Sequence, residues 1–182
     1  MERALIEQAQ RGDQGAFDAL VRRKVDAVYG TALAILGHEA DAQDAVQEAF
    51  VAAWRSLGAL RDPDRFDAWF GRILVNACRM SLRRRKVRQI EVTDGSLGSA
   101  PDRREPAADG PAFDDVAASA ESFDRAFGRL KADERAVLVL RHRDDLAVED
   151  IAARLGIPSG TVKSRLFTAR RALERAIARE DR

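Results

Sequence analysis

The feature that most constrains the fold is an apolar period of three to four residues that runs through both ends of the chain and fails in the middle. Leu5, Ile6 and Ala9 suggest a short first helix that ends near Gly12. Asp13 can cap a second helix, because its carboxylate accepts from the unpaired amides of the first turn. That helix buries Phe17, Leu20, Val21, Val28, Ala32 and Ile35 and stops near Gly37. A third helix, from about 41 to 57, puts Ala42, Ala45, Val46, Ala49, Phe50, Ala53, Trp54 and Leu57 on one side. This i, i+3, i+4, i+7 pattern belongs to a helix packed on one face. Gly58 and the Asp62-Pro63-Asp64 turn close it, and a fourth helix buries Phe66, Trp69, Phe70, Ile73 and Ala77. From about 93 to 122 the period disappears among Gly95, Gly98, Pro101, Pro106, Gly110 and Pro111, which is linker composition. A second helical block then occupies about 123 to 178. The expectation is an all-α protein with two small helical domains, 1–94 and 123–182, joined by a flexible linker over 95–122.

Composition agrees and narrows the chemistry. The 182 residues are 46% hydrophobic, enough for packed cores, and only 6% aromatic, which favours helices over sheets. A single cysteine, Cys78, excludes an intrachain disulfide and a multi-cysteine zinc site. His38 and His142 are far apart in sequence, so a histidine-based metal site is not expected. Glu2 and Glu7 near the start do not fit a signal peptide, and no apolar run approaches the ~20 residues that span a bilayer. The expectation is a soluble, cytoplasmic protein with no catalytic residues, no metal and no cofactor.

The net charge of +1 hides strong segregation. Between 72 and 88 there are seven bases and no acid; between 91 and 124, nine acids and two arginines, a net of −7; from 159 to 182, seven bases and three acids, a net of +4. Just before the last segment, Val148, Ile151, Ala152 and Leu155 mark a short helix broken at Gly156, with a tight connection through Ile157-Pro158. The next helix buries Val162, Leu166, Ala169, Leu173 and Ile177. Two helices joined through a glycine turn form the DNA-reading helix-turn-helix. The second leaves Ser159, Thr161, Lys163, Ser164, Arg165, Arg170 and Arg171 free. Short hydroxyls at a helix N-terminus reach phosphates, and arginines reach guanine edges. A plain helical hairpin with solvated bases is the bland alternative.

On the fourth helix, Arg72, Asn76, Arg79 and Arg83 fall at i, i+4, i+7 and i+11 opposite the aromatic face, followed by Arg84 and Lys86. Such a stripe can track phosphates, while Asn76 offers a donor and an acceptor to a base edge. Trp69 and Phe70 could stack on unpaired bases, but their phase places them in the core. The third helix is different: Asp41, Asp44 and Glu48, with Gln43 and Gln47, make an acidic, glutamine-rich face suited to a protein partner. As a metal cluster it lacks a clear further ligand.

DAQDAVQEAFVAAW and FDAWFGRILVNACRMSLRRRK resemble region two of the extracytoplasmic-function (ECF) sigma factors of bacterial RNA polymerase, and LKADERAVLVLRHRDDLAVEDIAARLGIPSGTVKSRLFTARRAL resembles their region four. The resemblance implies that the third helix docks on the clamp of the polymerase's largest subunit through Asp41, Gln43, Asp44, Gln47 and Glu48. It implies that the helix bearing Arg72, Asn76, Arg79, Arg83, Arg84 and Lys86, with the loop 58–64, recognises and opens the −10 element. The helix-turn-helix residues Ser159 to Arg171 named above would read the −35 element beside the polymerase flap, and an anti-sigma protein is the implied regulator. Two departures stand out. Ala147 occupies a position where relatives carry Ser or Thr, a lost cap worth ~1 kcal/mol, and the loop 59–64 has no feature that translates into a base sequence. The alternatives are a freestanding helix-turn-helix regulator that needs no polymerase, and a carboxylate-metal nuclease. A further expectation is that the acidic linker competes with phosphate for the two basic faces in the free protein, within a screening length of ~8 Å.

Overall fold

The computed structural model describes residues 2–93 and 122–180, with backbone alone for 86–93. Eight α-helices and two short 3-10 turns make up these residues, with no strand among them: α1 (Glu2–Gln10), α2 (Gln14–Leu36), α3 (Glu39–Ser56), α4 (Phe66–Thr93), α5 (122–128), α6 (Ala132–His142), α7 (Val148–Leu155) and α8 (Ser159–Glu180). The 3-10 turns, Leu57–Ala59 and Pro63–Arg65, lead from α3 into α4.

Local chemistry sets the boundaries. Asp13 Oδ1 accepts from the Ala16 amide at 3.0 Å, the cap expected from sequence. Gly37 ends α2 at φ 69°, where its amide reaches the Leu33 carbonyl at 2.7 Å; this left-handed turn carries little steric penalty in glycine. Helix α3 starts two residues earlier than the sequence suggests, because His38 adopts extended backbone and its Nδ1 accepts from the Asp41 amide at 3.4 Å. Histidine is not among the favoured caps, so this start carries no sequence signal. Ala147 precedes α7 with extended backbone and no side-chain cap, as its identity requires.

The first four helices close around an aromatic cluster. Phe17 lies 5.0 Å from Trp54 and 6.5 Å from Phe50, and Phe50 lies 4.8 Å from Phe70. Phe66 stacks on Phe70 and meets Trp69 at 5.8 Å. Phe70 is buried and Trp69 half-buried. Phe70 therefore belongs to the core and Trp69 packs against it, as their phase indicates. Cys78 is fully buried, which pushes its thiol up to about 12.

In the second block α8 buries Val162, Leu166, Ala169 and Ala176 against α6 and α7. Glu134 reaches back to the Lys131 amide at 2.9 Å and steadies the start of α6. That helix buries six consecutive residues, Arg135 through Leu140. A helix covered by one neighbour buries a stripe; one buried all round is enclosed. The second cover is the first block: α6 packs on α2 and α4, and α7 on α4, so one hydrophobic cluster runs from Ile6 to Ala169.

Candidate nucleic-acid interface

The face of α4 away from the aromatic core carries Arg72, Asn76 and Arg83 exposed, with Arg79 half-buried. Asn76 Oδ1 accepts from Arg79 Nη1 at 3.4 Å, so the amide and the guanidinium lie side by side. The next two arginines belong elsewhere. Arg84 Nη2 donates to Glu48 Oε2 at 2.9 Å, a contact that holds the guanidinium firmly protonated, and Arg85 Nη1 lies 3.6 Å from Asp41 Oδ2. In the sequence Arg84 follows directly on the stripe and is expected on the same DNA surface; the structure ties it to the acidic helix. The Lys86 side chain and the acidic stretch 94–121, with the proposed linker competition, lie outside the described residues.

Acidic helix α3 presents Gln43, Asp44, Gln47 and Glu48 to solvent, while Asp41 is half-buried against His38 and Arg85. Beside this face runs an apolar groove of about 440 Å³ between α2 and α3, lined by Val21, Val25, Tyr29, Val46, Phe50 and Val51, with Gln43 and Gln47 at its edge. No group of carboxylates, histidines and cysteines able to hold a metal occurs among the described residues.

The helix-turn-helix is built as its spacing indicates. Gly156 sits at φ 64° and its amide closes α7 onto the Ala152 carbonyl; Pro158 then precedes α8. With Val162, Leu166 and Ala169 turned inward, α8 exposes Ser159, Lys163, Ser164, Arg170 and Arg171, and Thr161 is half-buried. Arg170 Nη2 lies 3.4 Å from His142 Nε2. Phe167, which periodicity alone does not single out, is the most exposed large apolar residue described, at 62%, and Arg171 lies over its ring at 5.6 Å. An aromatic in the middle of a solvent-facing basic helix is the signal that could have found it.

Arg165 behaves differently from its neighbours. It turns to the flank of α8, where Nη1 lies 3.3 Å from Asp133 Oδ2 on α6, and the other oxygen of that carboxylate lies 2.7 Å from Arg79 Nε on α4. Neither arginine nitrogen has hydrogen-bond geometry there, so both contacts are ion pairs alone. At their partial exposure each is worth ~0–1 kcal/mol. Arg72 crosses to the second block as well: Nη2 donates to the Ala153 carbonyl at 3.3 Å, satisfying an end carbonyl of α7. Two surfaces that sequence reads as separate thus meet along one seam.

The fold is thus two helical blocks, one with a basic stripe and one with a helix-turn-helix. The family model for Sigma-70 region 2 matches residues 20–88, and that for Sigma-70, region 4 matches residues 120–173. The RNA polymerase sigma-H factor of Pseudomonas aeruginosa is 34% identical over 97% of this chain and 93% of that protein. The ECF RNA polymerase sigma-E factor of Escherichia coli is 31% identical over 97% and 94%. Among solved structures, CnrH in complex with the cytosolic domain of CnrY is 31% identical, with a TM-score of 0.65 over 97% of both chains. The sigma factor RpoE of Bartonella quintana, in complex with the anti-sigma factor NepR, is 26% identical with a TM-score of 0.65, covering 89% of this chain and 96% of that one. The chain belongs to the ECF sigma factors of the sigma-70 family, which join core RNA polymerase and direct it to promoters.

Proposed function

We propose that three surfaces divide this work, over domains 1–94 and 123–182 with 95–122 between them. The α3 face with Asp41, Gln43, Asp44, Gln47 and Glu48 docks on the clamp of the polymerase's largest subunit. The observation that carries this reading is the apolar groove beside that face: a partner helix could place apolar side chains in it while basic ones meet Asp44 and Glu48. The stripe Arg72, Asn76, Arg79 and Arg83, with Lys86, serves the −10 element. Asn76 is its base-reading group and the arginines follow phosphates. Arg84 joins them only when Glu48 releases it. On α8, Ser159, Thr161, Lys163, Ser164, Arg165, Arg170 and Arg171 serve the −35 element beside the polymerase flap, with Phe167 placed to meet a thymine methyl.

The chain supplies recognition and strand opening and performs no bond chemistry itself. It works in the cytoplasm, where polymerase and promoters are; no helix among the described residues is long and apolar enough to cross a membrane. An anti-sigma protein is the proposed regulator, supported by the similar structures that hold such partners.

A gel shift with a promoter fragment, with and without core polymerase, tests the reading. The fragment should enter a specific complex only when core is present. Tight, sequence-specific binding by the chain alone would make it a freestanding helix-turn-helix regulator instead.

A further inference from the structure

Large apolar side chains stand exposed at Val51, Met80, Phe123 and Phe167 among the described residues. Val51 borders the groove beside α3, and Phe167 lies on the reading helix α8. Met80 belongs to α4, where it is 50% exposed while Phe66, Phe70, Leu74 and Val75 are buried and Trp69, Ile73 and Leu82 half-buried. A helix turns by about 100° per residue and rises by about 1.5 Å. Met80 therefore lies about 40° around the axis from Asn76 and about 60° from Arg83, and about 6 Å along it from Asn76. Other groups of the stripe are engaged: Arg72 by the Ala153 carbonyl, Arg79 by Asp133 and Arg84 by Glu48. Single exposed apolar residues are ordinary; the position of this one is not. In a helix segment with seven bases and no acid, one more charge would serve both water and phosphate, and a thioether serves neither.

We propose that Met80 is the apolar wedge of strand opening: its side chain enters the base stack next to the base that Asn76 holds and covers the base face that loses its partner. The proposal deepens the reading above and rests on the assignment of the α4 stripe to the −10 element. Side chains that part a base step are apolar and enter between the rings. Methionine suits that task, being unbranched, with three rotatable bonds and a polarizable sulfur that meets aromatic rings favourably. The spacing of about 6 Å from Asn76 matches about two nucleotides at ~3.4 Å each, so both side chains can act on one opened step. Their tasks differ. The Asn76 amide hydrogen-bonds a base edge and so prefers particular bases. Met80 gains by burying its exposed half against a ring face, which every base offers. Arg83 beside them is placed for the phosphate. The aromatic side chains of α4 are packed with the core, so Met80 is the apolar group this face has to offer an unstacked base.

The test compares full-length parent, Met80→Ala, Met80→Gln and Met80→Leu, each with core polymerase. Met80 is half exposed, so its truncation opens no cavity and thermal unfolding should stay parental. Run-off transcription is measured on one promoter in two forms: fully paired, and with a mismatched bubble already open over the −10 region. Permanganate reactivity of thymines reads opening on the paired form. On paired DNA, Met80→Ala should open about four- to tenfold less, the effect of losing roughly half a methionine's burial. Met80→Gln, of similar length but polar, should fall with it, and Met80→Leu, which restores apolar bulk, should stay within about twofold of the parent. On the bubble template all four should agree within about twofold, because the step that Met80 serves is bypassed. Parental opening by Met80→Ala overturns the proposal. So does an equal loss on both templates, which would place Met80 in binding or folding, and so does a leucine variant as defective as alanine. The parent keeps the two readings apart. If it gives no thymine reactivity near the −10 element on paired DNA, the assignment of the stripe fails; normal parental opening that is indifferent to residue 80 sinks the wedge alone.

Discussion

Core RNA polymerase should retain the Asp44→Arg, Glu48→Arg double variant on the order of a hundredfold more weakly than the parent, with helicity and thermal unfolding little changed. Two charge-assisted contacts at ~1.5–3 kcal/mol each exceed the ~2.8 kcal/mol that a hundredfold requires. Folding should survive because both side chains are exposed and the Glu48–Arg84 pair lies at the surface, where such pairs contribute ~0–1 kcal/mol. Glu48→Gln is the informative single change. It removes the acid and frees Arg84, so loss of polymerase affinity there cannot be blamed on a newly introduced base. Parental retention of the double variant on immobilised core would remove this face from the docking surface.

Asn76→Ala should reduce strand opening at a natural promoter by about five- to a hundredfold, the effect of losing one base-reading side chain at ~1–3 kcal/mol. Permanganate footprinting of unpaired thymines near the −10 element reads this loss directly. Protection around the −35 element should persist, since α8 is untouched. The geometry adds a condition: Asn76 accepts from Arg79 at 3.4 Å, so the alanine variant also loosens the Arg79 guanidinium. Arg79→Lys separates the two, because it keeps the charge while altering the contact with Asn76. Normal opening with Asn76→Ala would leave the arginines as the whole of the −10 surface.

Much of this was legible in the residues. One-faced periodicity located the helices, Asp13, Gly37 and Gly156 marked ends with a known physical cause, and the glycine turn marked the helix-turn-helix. What escaped were pairings between residues distant in sequence. Asp133 reads as an acid in the first turn of a helix, where it suits the helix dipole; nothing in its neighbourhood points to Arg79, 54 positions away. Arg72 and Arg84 both fall in the acid-free basic segment 72–88, yet one reaches the Ala153 carbonyl and the other Glu48. Periodicity assigns a face and says nothing of which long side chain finds a partner there. One signal was available. The run Ala136 to Leu140 is apolar on consecutive positions, which an isolated two-layer motif cannot cover, and it required a second neighbour for α6.

The most direct test of the account is sequencing of transcripts made in vitro by core polymerase and this protein on fragmented genomic DNA. The account predicts discrete start sites absent from core alone, sharing upstream elements at −10 and −35 spacing, and lost with the Asp44→Arg, Glu48→Arg variant. A transcript set indistinguishable from that of core alone would contradict it.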